Sequence, residues 1–259
     1  VVLAQNENDN NLHSGPDGFE KKLWKVAETS QEKNYIVFNR ISPDGENGFP
    51  GEFNVSVTYE MTEENELRIV YGGVCDQTTI ANMTNHSYFN LAGEGSGSAM
   101  DQYLTIHAEQ YTPVGEGSIP LGENAAVEGT PMDFRTPTPV GERINDYDFV
   151  QLKNGNGYDH NWVLNTKGDV TRKCASLKSP KTGIVLDVYT NEPGIQVYTG
   201  NFLDGTVSGK KGIVYNQRAS VCLETQHYPD SPNKADWPSV VVRPGEKYHS
   251  TCIYKFGAE

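Results

Sequence analysis

A histidine and a glutamate are the residues of this chain best suited to moving protons. His86 lies in "NHSYFNL" (85–91), at a polar step before an aromatic and aliphatic run, with Asn85 and Ser87 beside it to orient an imidazole. Glu224 follows Val221, Cys222 and Leu223 and precedes "TQHYPDSPN", where an apolar strand passes into a polar loop. A carboxylate at such a place is costly unless paired, hydrogen-bonded or functional. A histidine near its ordinary pKa of about 6.5 carries a transferable proton near neutrality, and a glutamate near about 4.3 is ionised and ready to accept one. Each also has a plain structural reading: a hydrogen-bonded core histidine in one case, a solvated strand-end carboxylate in the other.

Three further places gather hydrogen-bonding groups at strand ends. "GYDHNWVL" sets Asp159, His160 and Asn161 before Trp162, Val163 and Leu164, where a loop cap is the alternative. In "NEPGIQVYTGN", Gln196 interrupts an apolar strand with an amide that donates and accepts at once, which suits hydroxyl groups. "NLHSG" adds His13 beside Gly15, equally readable as a loop residue.

These groups are far apart in sequence, so only long-range strand pairing brings them together. Phe53, Val55, Val57, Tyr59 and Met61 alternate with polar partners, Glu63, Glu64 and Asn65 supply a turn, and Leu67, Ile69 and Tyr71 resume the alternation. That is a hairpin with one buried face. Further β-rich pieces follow in "KNYIVFNRI", "DQYLTIHAE", "YDHNWVLN", "GIVLDVYT", "GIQVYTGN", "ASVCLET" and "YHSTCIYKF", joined by Gly-, Asn- and Pro-containing turns. No stretch carries apolar residues at helical spacing over three turns, so helices should be short. The class is all-β, and many short strands on long connections predict two packed sheets in one domain over residues 1–259.

Composition narrows the partners. A net charge of −13 disfavours a nucleic-acid backbone or an anionic membrane surface, and a neutral ligand fits better. No apolar run approaches the roughly 18 residues of a membrane span, and "VVLAQNENDN" has neither a basic n-region nor a long h-region. Cys75, Cys174, Cys222 and Cys252 are widely spaced without a C-x-x-C pair, and free thiols are expected at this size. The compartment stays open: cytoplasmic is the preferred expectation, with a periplasmic or secreted location as the alternative.

Taken in order, "NNLHSG", "TNHSYFNLAG", "GYDHNWVL", "EPGIQVYTGN" and "CLETQHYPDSPN" resemble the motif series of the aldose 1-epimerases, or galactose mutarotases, across essentially the whole chain. The resemblance implies a β-supersandwich of two large, mostly antiparallel sheets and a shallow cleft in which a free hexose such as galactose or glucose exchanges its α and β anomers. By position, Glu224 matches the family's general base and His86 its general acid. His13, Asp159 and Gln196 match its sugar-hydroxyl ligands. The family brings no metal and no organic cofactor, and its partner is a small-molecule monosaccharide. Partial burial is expected to raise the pKa of Glu224, while its charge supports a protonated His86.

One departure concerns the start. Members of the family carry N-terminal strands with a "GRxxNRI"-type segment and an arginine that reaches the sugar. "FNRISPDG", with Arg40 and Ile41, does not match it. The expectation is a chain incomplete at its N-terminus, completed by a missing segment or by a second chain. Competing functional readings are a non-catalytic carbohydrate-binding module on the same sandwich, a glycosidase using Glu224 and Asp159 as a carboxylate pair, and a metal site of His13, His86 and His227, which lacks the short spacing of local ligand pairs.

Overall fold

A computed structural model describes residues 1–259. The backbone divides into two compact units, Val1–Met83 with Val240–Thr251, and Thr84–Ser239 with Cys252–Glu259.

The first unit contains β1 (Lys25–Ser30), β2 (Tyr35–Ser42), β3 (Phe53–Met61) and β4 (Glu66–Cys75), paired antiparallel in that order, followed by β5 (Thr79–Ile80). The β3–β4 hairpin is the one the alternation predicts. Phe53 pairs with Cys75 and Met61 with Leu67, while Phe53, Val55, Val57, Ile69 and Tyr71 are buried. Its turn uses Asn65 in the left-handed region, at φ 60°. Phe53, Val55, Cys75, Ala81 and Val242 form a core against which Phe19, Trp24, Met83 and Tyr248 pack. Gly73 is required here, because a Cβ would come within 2.4 Å of the Phe53 ring. Arg40 is engaged locally: its guanidinium lies 2.9 Å from Glu46 and 4.8 Å from the centre of the Phe19 ring.

The second unit contains β6 (Tyr88–Phe89), β7 (Tyr103–Ile106), β8 (Ala108–Thr112), β9 (Ala125–Ala126), β10 (Thr138–Pro139), α1 (Val150–Gly155), β11 (Asp159–Leu164), β12 (Lys173–Lys178), β13 (Ile184–Thr190), β14 (Gly194–Tyr198) and β15 (Val221–Gln226). Afterwards β16 (Val241–Val242) pairs with β5 in the first unit, and β17 (Lys247–Ala258) places Cys252 onward in the second. One six-stranded antiparallel sheet runs β6-β15-β14-β11-β8-β9. The second unit's part of another sheet runs β17-β13-β12-β7-β10, again antiparallel.

His160, Trp162, Ile195, Val197, Val221 and Leu223 alternate into the core from β11, β14 and β15. Tyr254 of β17 reaches across to donate from its hydroxyl to the Leu223 carbonyl at 2.7 Å. Trp162 is 1% exposed, packs beside Phe134 and Tyr158, and donates its Nε1–H to the Met132 carbonyl. It is a core residue.

Two local features differ from the sequence reading. "DQYLTIHAE" forms two strands in different sheets, because His107 turns the chain: its N–H donates to Cys174 O and its carbonyl accepts from Asn165 N. "KVAETS" forms β1 without an alternating pattern, since nearly all of it is exposed and neither face is selected for apolar residues.

Candidate active site

The face of the six-stranded sheet opposite His160, Trp162, Ile195, Val197, Val221 and Leu223 carries two polar rows fixed by strand register. In one row Thr112 stands opposite Asn161, Asn161 opposite Gln196, and Gln196 opposite Glu224. In the next, Asp159 stands opposite Tyr198, Tyr198 opposite Cys222, and Cys222 opposite Tyr88. Side chains two residues apart share a face, so one surface collects Asp159, Gln196, Tyr198, Cys222, Glu224 and Tyr88. The rows pack closely at Gly194, where a Cβ would come within 2.2 Å of Asn161 Oδ1.

His86 reaches this face from the irregular segment before β6. Thr84 ties that segment to β15 by donating its hydroxyl to the Thr225 carbonyl at 3.0 Å. Asn85 Oδ1 accepts from Ser87 N at 3.1 Å and turns the backbone around His86. His86 Nε2 then lies 3.5 Å from Glu224 Oε1. The imidazole stacks on Tyr88 with ring centres 5.0 Å apart and meets Tyr198 edge-on at 6.0 Å.

Burial sets the electrostatics. Glu224 is 6% exposed, and its carboxyl is pushed up to about 8, first by desolvation and then by the negative charge of Asp159. Asp159 is raised to about 6 by desolvation, opposed by the amide of Gln196, which donates to its Oδ1 at 2.8 Å. Gln196 Oε1 is buried without a protein donor. Burial also raises the phenols of Tyr88 and Tyr198, which keeps them as neutral hydroxyls. His160, next to Asp159, points the other way: it is fully buried, depressed to about 3 by desolvation, and its Nδ1 accepts from Asp159 N. It is therefore a neutral core residue.

Of the five residues singled out from sequence, His86, Asp159, Gln196 and Glu224 share this face. His13 belongs to the first unit, on a left-handed turn with Ser14 and Gly15 at φ 51°, 68° and 100°. His227 lies 2.6 Å from the buried carboxylate of Glu192. Sequence reasoning missed Tyr88 and Tyr198. Tyr198 was legible, since it stands two residues beyond Gln196 on the same face of β14; Tyr88 was not, because His86 precedes β6 in an irregular segment where strand alternation does not apply. His86, Cys222 and Glu224 each present a metal-ligating atom, all within 4.8 Å of one another.

A buried carboxylate beside an imidazole can exchange protons as a general acid–base pair, and the amide, carboxyl and phenol groups around them suit a ligand rich in hydroxyls. The family model described as aldose 1-epimerase matches residues 1–255. Galactose mutarotase from Homo sapiens is 47% identical over 255 residues, covering 98% of this chain and 71% of that one. Aldose 1-epimerase from Escherichia coli K12 is 39% identical, covering all of this chain and 74% of its own. Among solved structures, galactose 1-epimerase from Lactobacillus acidophilus superposes with a TM-score of 0.86 at 32% identity, over 99% of this chain and 72% of that chain. An aldose epimerase homologue from C. elegans gives 0.88 at 28%, over 98% and 74%. The chain belongs to the aldose 1-epimerase family. It is an isomerase of the mutarotase type acting on a monosaccharide. The chain spans 71% and 74% of the length of the Homo sapiens and Escherichia coli relatives, and the comparisons do not support completion of the fold by a second chain. No helix is long and apolar enough to cross a membrane.

Proposed function

We propose that this chain interconverts the α and β anomers of free galactose or glucose, with Glu224 as general base and His86 as general acid, residues 1–259 acting as one domain. Glu224 takes the proton from the C1 hydroxyl while His86 delivers one to the ring oxygen. The bond between C1 and the ring oxygen breaks, the C1–C2 bond rotates, and closure on the other face returns both protons. Because both oxygens are bonded to C1, groups hydrogen-bonded to them must converge on that carbon and stand within roughly 8 Å of each other. The 3.5 Å between Nε2 and Oε1 meets that need and is the observation that carries the reading.

The pKa of Glu224, about 8, is close to the working range of a base that must also give its proton back. Asp159 and Gln196 hold each other in place, and Gln196 Oε1 is a ready acceptor for a sugar hydroxyl. His13 is a further hydroxyl ligand in this reading. Tyr88 and Tyr198, flanking His86, are the candidates for stacking on the C–H side of the ring. The test is polarimetry on freshly dissolved α-D-galactose and α-D-glucose. The approach to equilibrium should be faster than the spontaneous one in proportion to protein added. An unchanged rate, with sugar bound, would leave a carbohydrate-binding module instead.

A further inference from the structure

Cys222 has no part in the proton transfers above, yet its thiol converges with both groups that do. It precedes Glu224 by two residues on β15 and so shares its face, and its Sγ, a ring nitrogen of His86 and a carboxylate oxygen of Glu224 all lie within 4.8 Å of one another. A zinc ion bound tetrahedrally at about 2.0–2.3 Å requires its ligands to stand roughly 3.3–3.8 Å apart. The Nε2–Oε1 edge, at 3.5 Å, already has that length. Closing the sulfur onto it takes a shift of about 1 Å or less, within reach of side-chain rotation.

The donor set is one imidazole, one thiolate and one carboxylate, which suits zinc and is poorly suited to magnesium or calcium. Cys222 and Glu224 are buried, whereas the His86 side chain is 31% exposed, leaving a route from solvent. We propose that His86, Cys222 and Glu224 form a binding site for a single zinc ion that shuts the enzyme by occupying both proton-transfer groups at once. As the zinc–sulfur bond forms, the thiol proton passes to solvent, and any proton on Glu224 or on the ligating histidine nitrogen leaves with it. The fourth position stays open to water. The inhibition, though not the coordination, rests on the catalytic reading of Glu224 and His86 given above.

The test begins with equilibrium dialysis of the full chain against Zn²⁺ alone, for the parent and Cys222→Ser. One zinc per chain should be retained by the parent, and the serine variant should bind more than about tenfold more weakly. Co²⁺ added to the parent should give thiolate-to-metal charge-transfer absorption, a reading independent of whether the variant folds. In polarimetry, zinc should slow mutarotation, and a chelator or a higher sugar concentration should restore it. Absence of stoichiometric zinc, equal affinity in the two proteins, or cobalt binding without a thiolate band would overturn the site. Thiolate-dependent zinc binding that leaves mutarotation untouched would uphold the coordination and overturn instead the assignment of Glu224 and His86 as the working pair.

Discussion

Glu224 shows how burial shapes reactivity and stability together. Its carboxyl is held near 8 because water is excluded and Asp159 adds negative charge, so the native state keeps this proton where the unfolded chain, near 4.5, has lost it. Between those values the folded form binds more protons than the unfolded form, and stability from this group falls as pH rises. Glu224→Gln should therefore be more stable than the parent above pH 8, by on the order of 1–2 kcal/mol, with little gain near pH 4. Thermal melts across pH measure this, and a gain that shrinks as pH rises would contradict it. For the parent, kcat/KM should climb with pH toward about 8, as Glu224 loses its proton in the free enzyme. In Asp159→Asn the climb should move to lower pH because the repelling charge is gone, while the lost hydroxyl ligand depresses the plateau. A pH–rate profile of each protein separates the two effects.

Among the elements, β11, β14 and β15 matter most, because their register places Asn161, Gln196 and Glu224 in one row. Gly194 allows the close approach, since an added Cβ would meet Asn161 Oδ1 at 2.2 Å and the Tyr228 ring at 2.9 Å. Gly194→Ala should cost about 1–3 kcal/mol in denaturant unfolding and raise KM by displacing Gln196, two residues on. Unchanged stability and unchanged KM would mean that the row tolerates the shift. The strands themselves were legible in the sequence where one face was buried, as in β3 and β4, because alternation records which side meets the core. They were illegible where both faces meet solvent, as in β1, or where a bond such as His107 N to Cys174 O turns the chain between sheets. At the site, residue types and motif order gave the candidates. Register gave what no sequence pattern could: that Glu224 and Gln196 are cross-strand neighbours, and that His86, from an irregular segment, comes within 3.5 Å of the carboxylate.

Across the whole molecule, 34 acidic residues against 21 basic ones give the net charge of −13. A neutral sugar feels little of that field, so kcat/KM should change by less than about twofold between low and high salt, whereas an anionic sugar phosphate would be repelled at low ionic strength. Strong salt dependence with galactose would contradict this expectation. The family match from 1 to 255 crosses both compact units, while His86, Asp159, Gln196 and Glu224 all come from the second. His13→Ala therefore asks whether the first unit serves the reaction, and the expected answer is a kcat/KM lowered by about tenfold or more with the melting temperature unchanged. The most direct measurement is the polarimetric rate on α-D-galactose for the parent, Glu224→Gln and His86→Asn, each confirmed folded. The parent should outpace the spontaneous reaction, with each variant slower than it by about 10²–10⁴-fold. Variants that keep the parent's rate would contradict the account.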